Sequence, residues 1–284
     1  MVDGKSLLTK LIIFLLVIII ILIIYFLIPV SPIKSEIEND LDYLIQNNQQ
    51  NSHTITENDF KSFPKAIQMY IKNNGFVESK AYDYMNINFK NIDFAQGPER
   101  NLRIDYTQYN FSKNPQRIAY IKSSMMGVPF EGYDYFIDGK CGMKGMIAKA
   151  ITIFHEKGDE MDQAGLATYL AESLFIPSSL LSGYIRFEEI DDFNVKAYIN
   201  YKDLKASGIF TFNSKYEMVE FRTNDRYMAN GDGTLVKLPW IAKCSDYKVN
   251  KDGINLPGKL QAVWEYPDRE LVYFDGLVHG FIYK

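Results

Sequence analysis

Thiols are scarce in this chain. Two cysteines stand in 284 residues, Cys141 and Cys244, and no CxxC pair occurs. That excludes the closely spaced thiols of zinc ribbons and dithiol redox centres. A single disulfide fits a domain outside the cytoplasm, and two buried free thiols are the alternative. Histidine is as sparse, with three. His53, His155 and His279 are scattered, so no spacing suited to a metal is visible. His155, in "FHEKG", reads as a cation near a helix C-terminus. There is no G-x-S-x-G elbow. "DGKCGMKG" lacks the residue order that cradles phosphates, and nothing else calls for a cofactor. Charge of one sign is missing too. The 31 basic and 35 acidic residues are interleaved, for a formal net charge of −4. No Lys/Arg stripe offers nucleic acid an electrostatic footprint.

What the chain has instead is grease at one end. "LIIFLLVIIIILIIYFLIPV", residues 11–30, carries no charge between Lys10 and Lys34. About 20 helical residues cross a ~30 Å hydrocarbon layer. A secretory signal has a shorter apolar core and a small-x-small cleavage site, which "FLIPVSPIKS" lacks. The expectation is an uncleaved single-pass anchor over residues 1–33. Lys5 and Lys10 precede the span and Lys34 follows it, which favours the N-terminus inside and the bulk of the chain outside.

"SEIENDLDYLIQNN" places Ile37, Leu41, Leu44 and Ile45 on one helical face. The polar "NNQQNSHTITEND" reads as a linker, so residues 34–60 form a juxtamembrane unit. From residue 61 to 284 a single β-rich domain is expected. It opens with a helix in "SFPKAIQMYIKNNG", with Pro64 at its start, Ile67, Tyr70 and Ile71 inward, and Asn74-Gly75 at its end. Beyond Gly75 the period changes to two. Met85, Ile87 and Phe89 share one face, as do Leu102, Ile104 and Tyr106. Val195, Ala197, Ile199 and Tyr201 alternate with Lys196, Tyr198 and Asn200. "DDFN", "FNSKY" and "YPDRE" are turn chemistry, and Asp275-Gly276 reads as a two-residue hairpin. Connections this short leave no room for parallel crossovers. The predicted class is α+β: a large curved antiparallel sheet, half-barrel-like, packed on a few helices.

One helical interruption is expected from about Met143 to Phe175, with Asp162 as its N-cap and Pro177 ending it. "GMKGMIAKAITIF" fits helix or strand; "DQAGLATYLAESLFI" fits helix. On that helix Leu166, Leu170, Ser173 and Leu174 form the apolar stripe, which puts Glu172 opposite, facing water. Phe175 lies close to Glu172 on the wheel, so a groove beside that acid is the alternative. Asp134 and Asp138, four apart in a strand-like run, are the other acids suited to acid–base work or a hard cation. Their plainer role is a solvated strand face and an Asp138-Gly139 turn. In "RTNDRYM", Arg222 and Arg226 suit either cross-strand salt bridges or contact with an anion.

"LATYLAESLFIPSSLL" resembles the L-x-x-Y-L-x-E…P-x-x-L-L signature of an uncharacterised membrane-anchored family of the DUF6544/DUF6920 type. Other landmarks follow in order: "FPKAIQMYIKNNG", "GVPFEGYDYFIDGKCGMKGMI", "NDRYM" and "INLPGKLQAVWEY". The spacing through Gly139, Lys140, Cys141 and Gly142 departs from the family's glycine pattern. The resemblance implies the fold and brings no established reaction.

A curved sheet wrapped on a helix can enclose a hydrophobic ligand. The leading expectation is therefore a membrane-anchored, extracytoplasmic protein that holds a lipid or similar apolar molecule. Glu172, Phe175, Tyr198, Phe210, Trp240 and Trp264 would line its site, with Tyr201 and Phe212 beside them. The plainer reading of these aromatics is a filled core. Rival expectations are a carboxylate enzyme using Glu172 with Asp134 or Asp138, and a scaffold for another envelope protein.

Overall fold

The structure is a computed structural model describing residues 4–50, 52–95, 101–125, 127–229 and 234–284. It begins with α1 (Gly4–Leu27), whose described side chains are solvent-facing and almost all apolar. This is the one helix, among the described residues, long and apolar enough to cross a bilayer. Then come α2 (Pro32–Asn47) and α3 (Lys65–Asn73). Six strands follow: β1 (Tyr84–Ala95), β2 (Asn101–Phe111), β3 (Gln116–Met125), β4 (Val128–Ile137), β5 (Lys140–Ile147) and β6 (Ile151–Lys157). After α4 (Asp159–Glu172) the chain returns to strands with β7 (Ile185–Glu189), β8 (Asn194–Tyr201), β9 (Leu204–Phe212) and β10 (Met218–Thr223). The last are β11 (Tyr227–Ala229), β12 (Leu235–Lys237), β13 (Trp240–Ser245), β14 (Lys248–Val249), β15 (Asn255–Leu256), β16 (Lys259–Glu265) and β17 (Glu270–Tyr283).

Thirteen of these form one sheet in the order β6-β5-β4-β3-β2-β1-β17-β16-β13-β10-β9-β8-β7. Every neighbouring pair is antiparallel, which short turns permit and crossovers would not. The sheet bends around α4, which touches β4, β5 and β6 on one arm and β8 and β9 on the other. Held between both arms, α4 has no exposed residue from Met161 to Glu172. A helix buried all round needs no polar face.

The other face of the first arm is covered by α2. Ile33, Ile37 and Leu44 are buried there against Phe111, Ile118 and Tyr133. Each such burial contributes about 1.5–3 kcal/mol before ordering costs. Tyr133 donates to Asp40 at 2.6 Å, and Lys144 pairs with Glu36 at 2.7 Å. Lys149, in the β5–β6 turn, donates to the carbonyls of Phe26 at 3.1 Å and of Ile28. The polar stretch after α2 does not hang free. Asn48 is fully buried and donates to Gln116 at 2.7 Å, and Thr54 bridges Lys80.

Four local expectations are corrected. Met143–Lys157 is the β5–β6 hairpin, so the helical interruption starts only at Asp159. Asp162 is not its N-cap, a position held by Gly158. Asp162 is buried instead and accepts from the Cys141 amide and from Lys140 Nζ, both at 2.6 Å, which ties α4 to β5. His155 lies on the edge strand β6 and not at a helix end. Asp275-Gly276 makes no turn, because β17 runs straight through it between β1 and β16. Gly276 is small for a packing reason: a Cβ there would lie 2.7 Å from Phe89. Asp138-Gly139 does turn, at φ 52° and 81°, and joins β4 to β5.

Candidate functional site

Between α4 and the concave face of β1–β5, β10, β13, β16 and β17 lies a cavity of about 190 Å³. Its closed end is formed by the buried Ile87, Phe175, Met218 and Cys244. Half-buried Phe94, Met143, Met161 and Tyr273 stand where it meets solvent. The helix wall stays thin because Ala164, Gly165, Thr168 and Ala171 project little from α4.

One wall is polar, and its centre is Arg117 on β3, 3% exposed. Its Nη1 donates to Asp134 at 2.8 Å and its Nη2 to the Tyr106 hydroxyl at 2.9 Å. Its Nε is 3.3 Å from Oε2 of Glu172, close enough for an ion pair but misaligned for a hydrogen bond. Asn110 donates to that same Glu172 oxygen at 2.7 Å and accepts from Gln108 at 2.5 Å. Strand register explains the cluster: Arg117 is paired with Asn110 on β2, and Asp134 with Ala119, two residues along β3. Burial opposes the charge on Arg117, but Asp134, Tyr106 and Glu172 outweigh it and hold the guanidinium well above its ordinary pKa. Burial, joined by the charges of Asp134 and Glu172, pushes the Tyr106 hydroxyl strongly up, against the pull of Arg117. The Cys141 and Cys244 thiols, both free, are raised by burial as well.

A second guanidinium, that of Arg226, lines the cavity from the opposite arm. It lies 4.4 Å from the Trp240 ring and 5.4 Å from the Trp264 ring. Its Nη1 donates to the Tyr273 hydroxyl at 3.3 Å, which also accepts from the Trp240 indole at 2.9 Å. Arg222, four residues back, is paired with Glu265. The two arginines of "RTNDRYM" have thus separated, one into a salt bridge and one into the cavity.

The candidate residues named from sequence fall into two groups. Glu172, Phe175 and Trp240 line the cavity, as does Asp134. Glu172 does not face water: with an arm of sheet on either side of α4, the side opposite the apolar stripe meets Arg117 and Asn110. Trp264 sits behind the wall, stacked on Tyr273 at 5.9 Å. Phe210 is fully buried in core against Phe221, and Phe212 packs on Tyr70. Tyr201 is buried beside Phe136 and Tyr184. Tyr198 is on the other face of β8, bonded to Glu188 and covered by Arg186. Asp138 is in the hairpin turn with Tyr43, Gln116 and Lys202, so it does not join Asp134. Among the described residues no cluster of three metal-ligating side chains occurs.

Arg117 was not singled out from sequence, and Tyr106 only as part of an apolar strand face. The signal was present: in "QRIAYI" an arginine shares a strand face with Ala119 and Ile121, and a charge on such a face needs buried partners.

No curated protein matches the sequence. The solved structures to which the chain is similar include two distant ones. One is a domain named for outer membrane lipoprotein sorting, from Vibrio parahaemolyticus: 11% identical, TM-score 0.39, covering 77% of this chain and 92% of that one. The other is a DUF1329 family protein from Desulfovibrio piger: 10% identical, TM-score 0.42, covering 81% and 94%. The profile of a family of unknown function, DUF6544, matches residues 53–276, which span the whole cavity wall, and the chain belongs to that family.

Proposed function

We propose that this protein holds the apolar part of a small amphiphile between α4 and the concave sheet, beside a bilayer that α1 spans. The carrying observation is the cavity itself, about 190 Å³ with mostly apolar walls. Well-packed cores leave few voids larger than a water molecule, so this space is an exception of the kind that takes a ligand. Its size falls below the ~300–1,000 Å³ of sites for drug-sized molecules. It therefore suits one chain segment and not a two-chain lipid. Glu172, Phe175 and Trp240 are the contacts from this wall. Lys5 and Lys10, ahead of the apolar run at 11–30, favour the body outside the membrane.

The rival is a carboxylate enzyme. Glu172 and Asp134 do converge, but both are engaged by Arg117, and an acid–base pair needs one group free to exchange its proton. The holding role therefore stands ahead of it.

The test is native mass spectrometry of the detergent-extracted full chain, wild type and Ala242→Trp. Ala242 is a half-buried wall residue on β13, where an indole would fill the space. The wild type should retain an apolar adduct and the variant should lose it. Two adduct-free spectra, together with no uptake of an added single-chain amphiphile, would end the proposal.

A further inference from the structure

Three cations line the cavity among the described residues: Arg117, Lys243 and Arg226. Arg117 is committed to Asp134 and Glu172, and Lys243 pairs with Glu270 at 2.6 Å. Arg226 has no carboxylate partner among the described residues. The adjacent acid is turned away: Asp225 accepts from the Ser207 amide at 2.8 Å and its hydroxyl at 3.1 Å, and pairs with Lys237. What holds Arg226 in place is aromatic, Trp240 and Trp264 beneath it and the Tyr273 hydroxyl beside it. Its Nε is buried with no hydrogen-bond partner. A guanidinium tolerates such a shelf because it is weakly hydrated and stacks on aromatic faces. Its fork still has donors to give, in the geometry that matches an oxyanion.

We propose that Arg226 receives the anionic head of the ligand, a single-chain amphiphile ending in a carboxylate or phosphate whose tail lies along α4. This rests on the reading of the cavity as an apolar-ligand site and narrows the ligand's class. The polar wall at Arg117 does not compete for that head, since Asp134 and Glu172 balance its charge and those two acids repel an anion. Head and tail are thus sorted by the walls: a cation with no carboxylate partner among the described residues at one side and an apolar closed end at Phe175 and Met218.

The chain has two tryptophans, and both lie under Arg226, so their fluorescence reports this site. Full-length protein in nanodiscs is titrated with 8-bromooctanoate, 8-bromooctanol and 8-bromooctyl-trimethylammonium, whose bromine quenches indole emission. The carboxylate should quench with a Kd about tenfold or more below the alcohol's, as expected for a hydrogen bond to a charged group, and the ammonium should bind weakest. Octyl phosphate should displace the carboxylate probe, and acetate at equal concentration should not. Arg226→Gln should bring the carboxylate down to the alcohol's affinity while the alcohol's own affinity stays put, which shows the fold intact. Arg226→Lys should keep part of the preference. Equal binding of carboxylate and alcohol in the wild type, or an unchanged ratio in Arg226→Gln, overturns this assignment and leaves the apolar site standing. Displacement by acetate as strong as by octyl phosphate refutes the amphiphile. Absence of quenching by all three probes removes both the assignment and the apolar site beneath it.

Discussion

Glu172 on α4 and Arg117 on β3 meet at 3.3 Å across the seam between helix and sheet, with Asn110 bonded to the same carboxylate oxygen at 2.7 Å. The contact is an inner link of a run that passes from Gln108 through Asn110, Glu172 and Arg117 to Asp134. Such a run is costly to break at its centre, because what remains is charge without a partner.

Arg117→Met should therefore destabilise the fold by about 3 kcal/mol, the low end of the ~3–5 kcal/mol for orphaning a buried ion. The low end applies because Asp134 and Glu172 keep 22% and 18% side-chain exposure. Adding Glu172→Gln to Arg117→Met should recover part of the loss, a coupling of about 0.5–3 kcal/mol. Urea denaturation of the four proteins of the cycle measures it. Strict additivity would mean that the two side chains do not depend on each other.

Alkaline pH should weaken the protein before its surface groups explain it. Cys141 and Cys244 are buried, and burial raises both thiols in the folded state. Unfolded thiols ionise near pH ~8.5. A group with a raised folded-state pKa stabilises fully below its unfolded value, so this contribution is intact at pH 8 and shrinks as pH climbs toward the folded-state value. The slope is at most about 1.4 kcal/mol per pH unit for each thiol. Denaturation midpoints at pH 8, 9 and 9.8, for wild type and the Cys141→Ala, Cys244→Ala double variant, should diverge, with the variant flatter. Parallel curves would rule out the thiols as the cause.

Gly276→Ala should cost about 1–3 kcal/mol, the range for overpacking, since the added methyl would meet Phe89 at 2.7 Å. The same change at a true hairpin glycine acts by backbone strain, and a compensating Phe89→Leu would do nothing for it. Here Phe89→Leu should restore part of the loss in thermal melts. No rescue would argue against the strand packing around Gly276.

Two Asp-Gly pairs in this chain show what sequence carries and where it stops. At Asp138-Gly139 the turn signal has free rein, because the dipeptide lies between Ile137 and Lys140, the last pair of β4 and β5, and both residues take positive φ. At Asp275-Gly276 the identical dipeptide lies between β1 and β16, and pairing with two partners at once keeps the backbone extended. Local propensity loses to tertiary pairing there. The antiparallel succession, α3, and the turns at 191–194, 212–216 and 266–270 are equally local and were legible. Glu172 was not: its helical wheel has the right stripe, but no wheel shows that a second arm of sheet covers the other side. Arg117 was visible as a charge on an apolar strand face, while its partners came from β2, β4 and α4, separations no spacing rule spans.

Tyr133→Phe should remove one of the bonds that hold α2 down, its 2.6 Å link to Asp40. A single hydrogen bond to a charged group contributes about 1.5–3 kcal/mol. Hydrogen exchange should quicken in α2 and stay unchanged in α4. Faster exchange in α4 as well would mean global loosening and not local release.

Only residues 28–31 separate α1 from α2, and α2 is riveted along the outside of the sheet while Lys149 grips the end of α1. A body on a slack tether samples every angle to its root, as a ball does on a string. This one has its bearing set when it folds. With α1 in a bilayer, the mouth of the cavity keeps one height and one azimuth above the lipid. Any exchange of cargo would then run along a single fixed approach, without a swinging search.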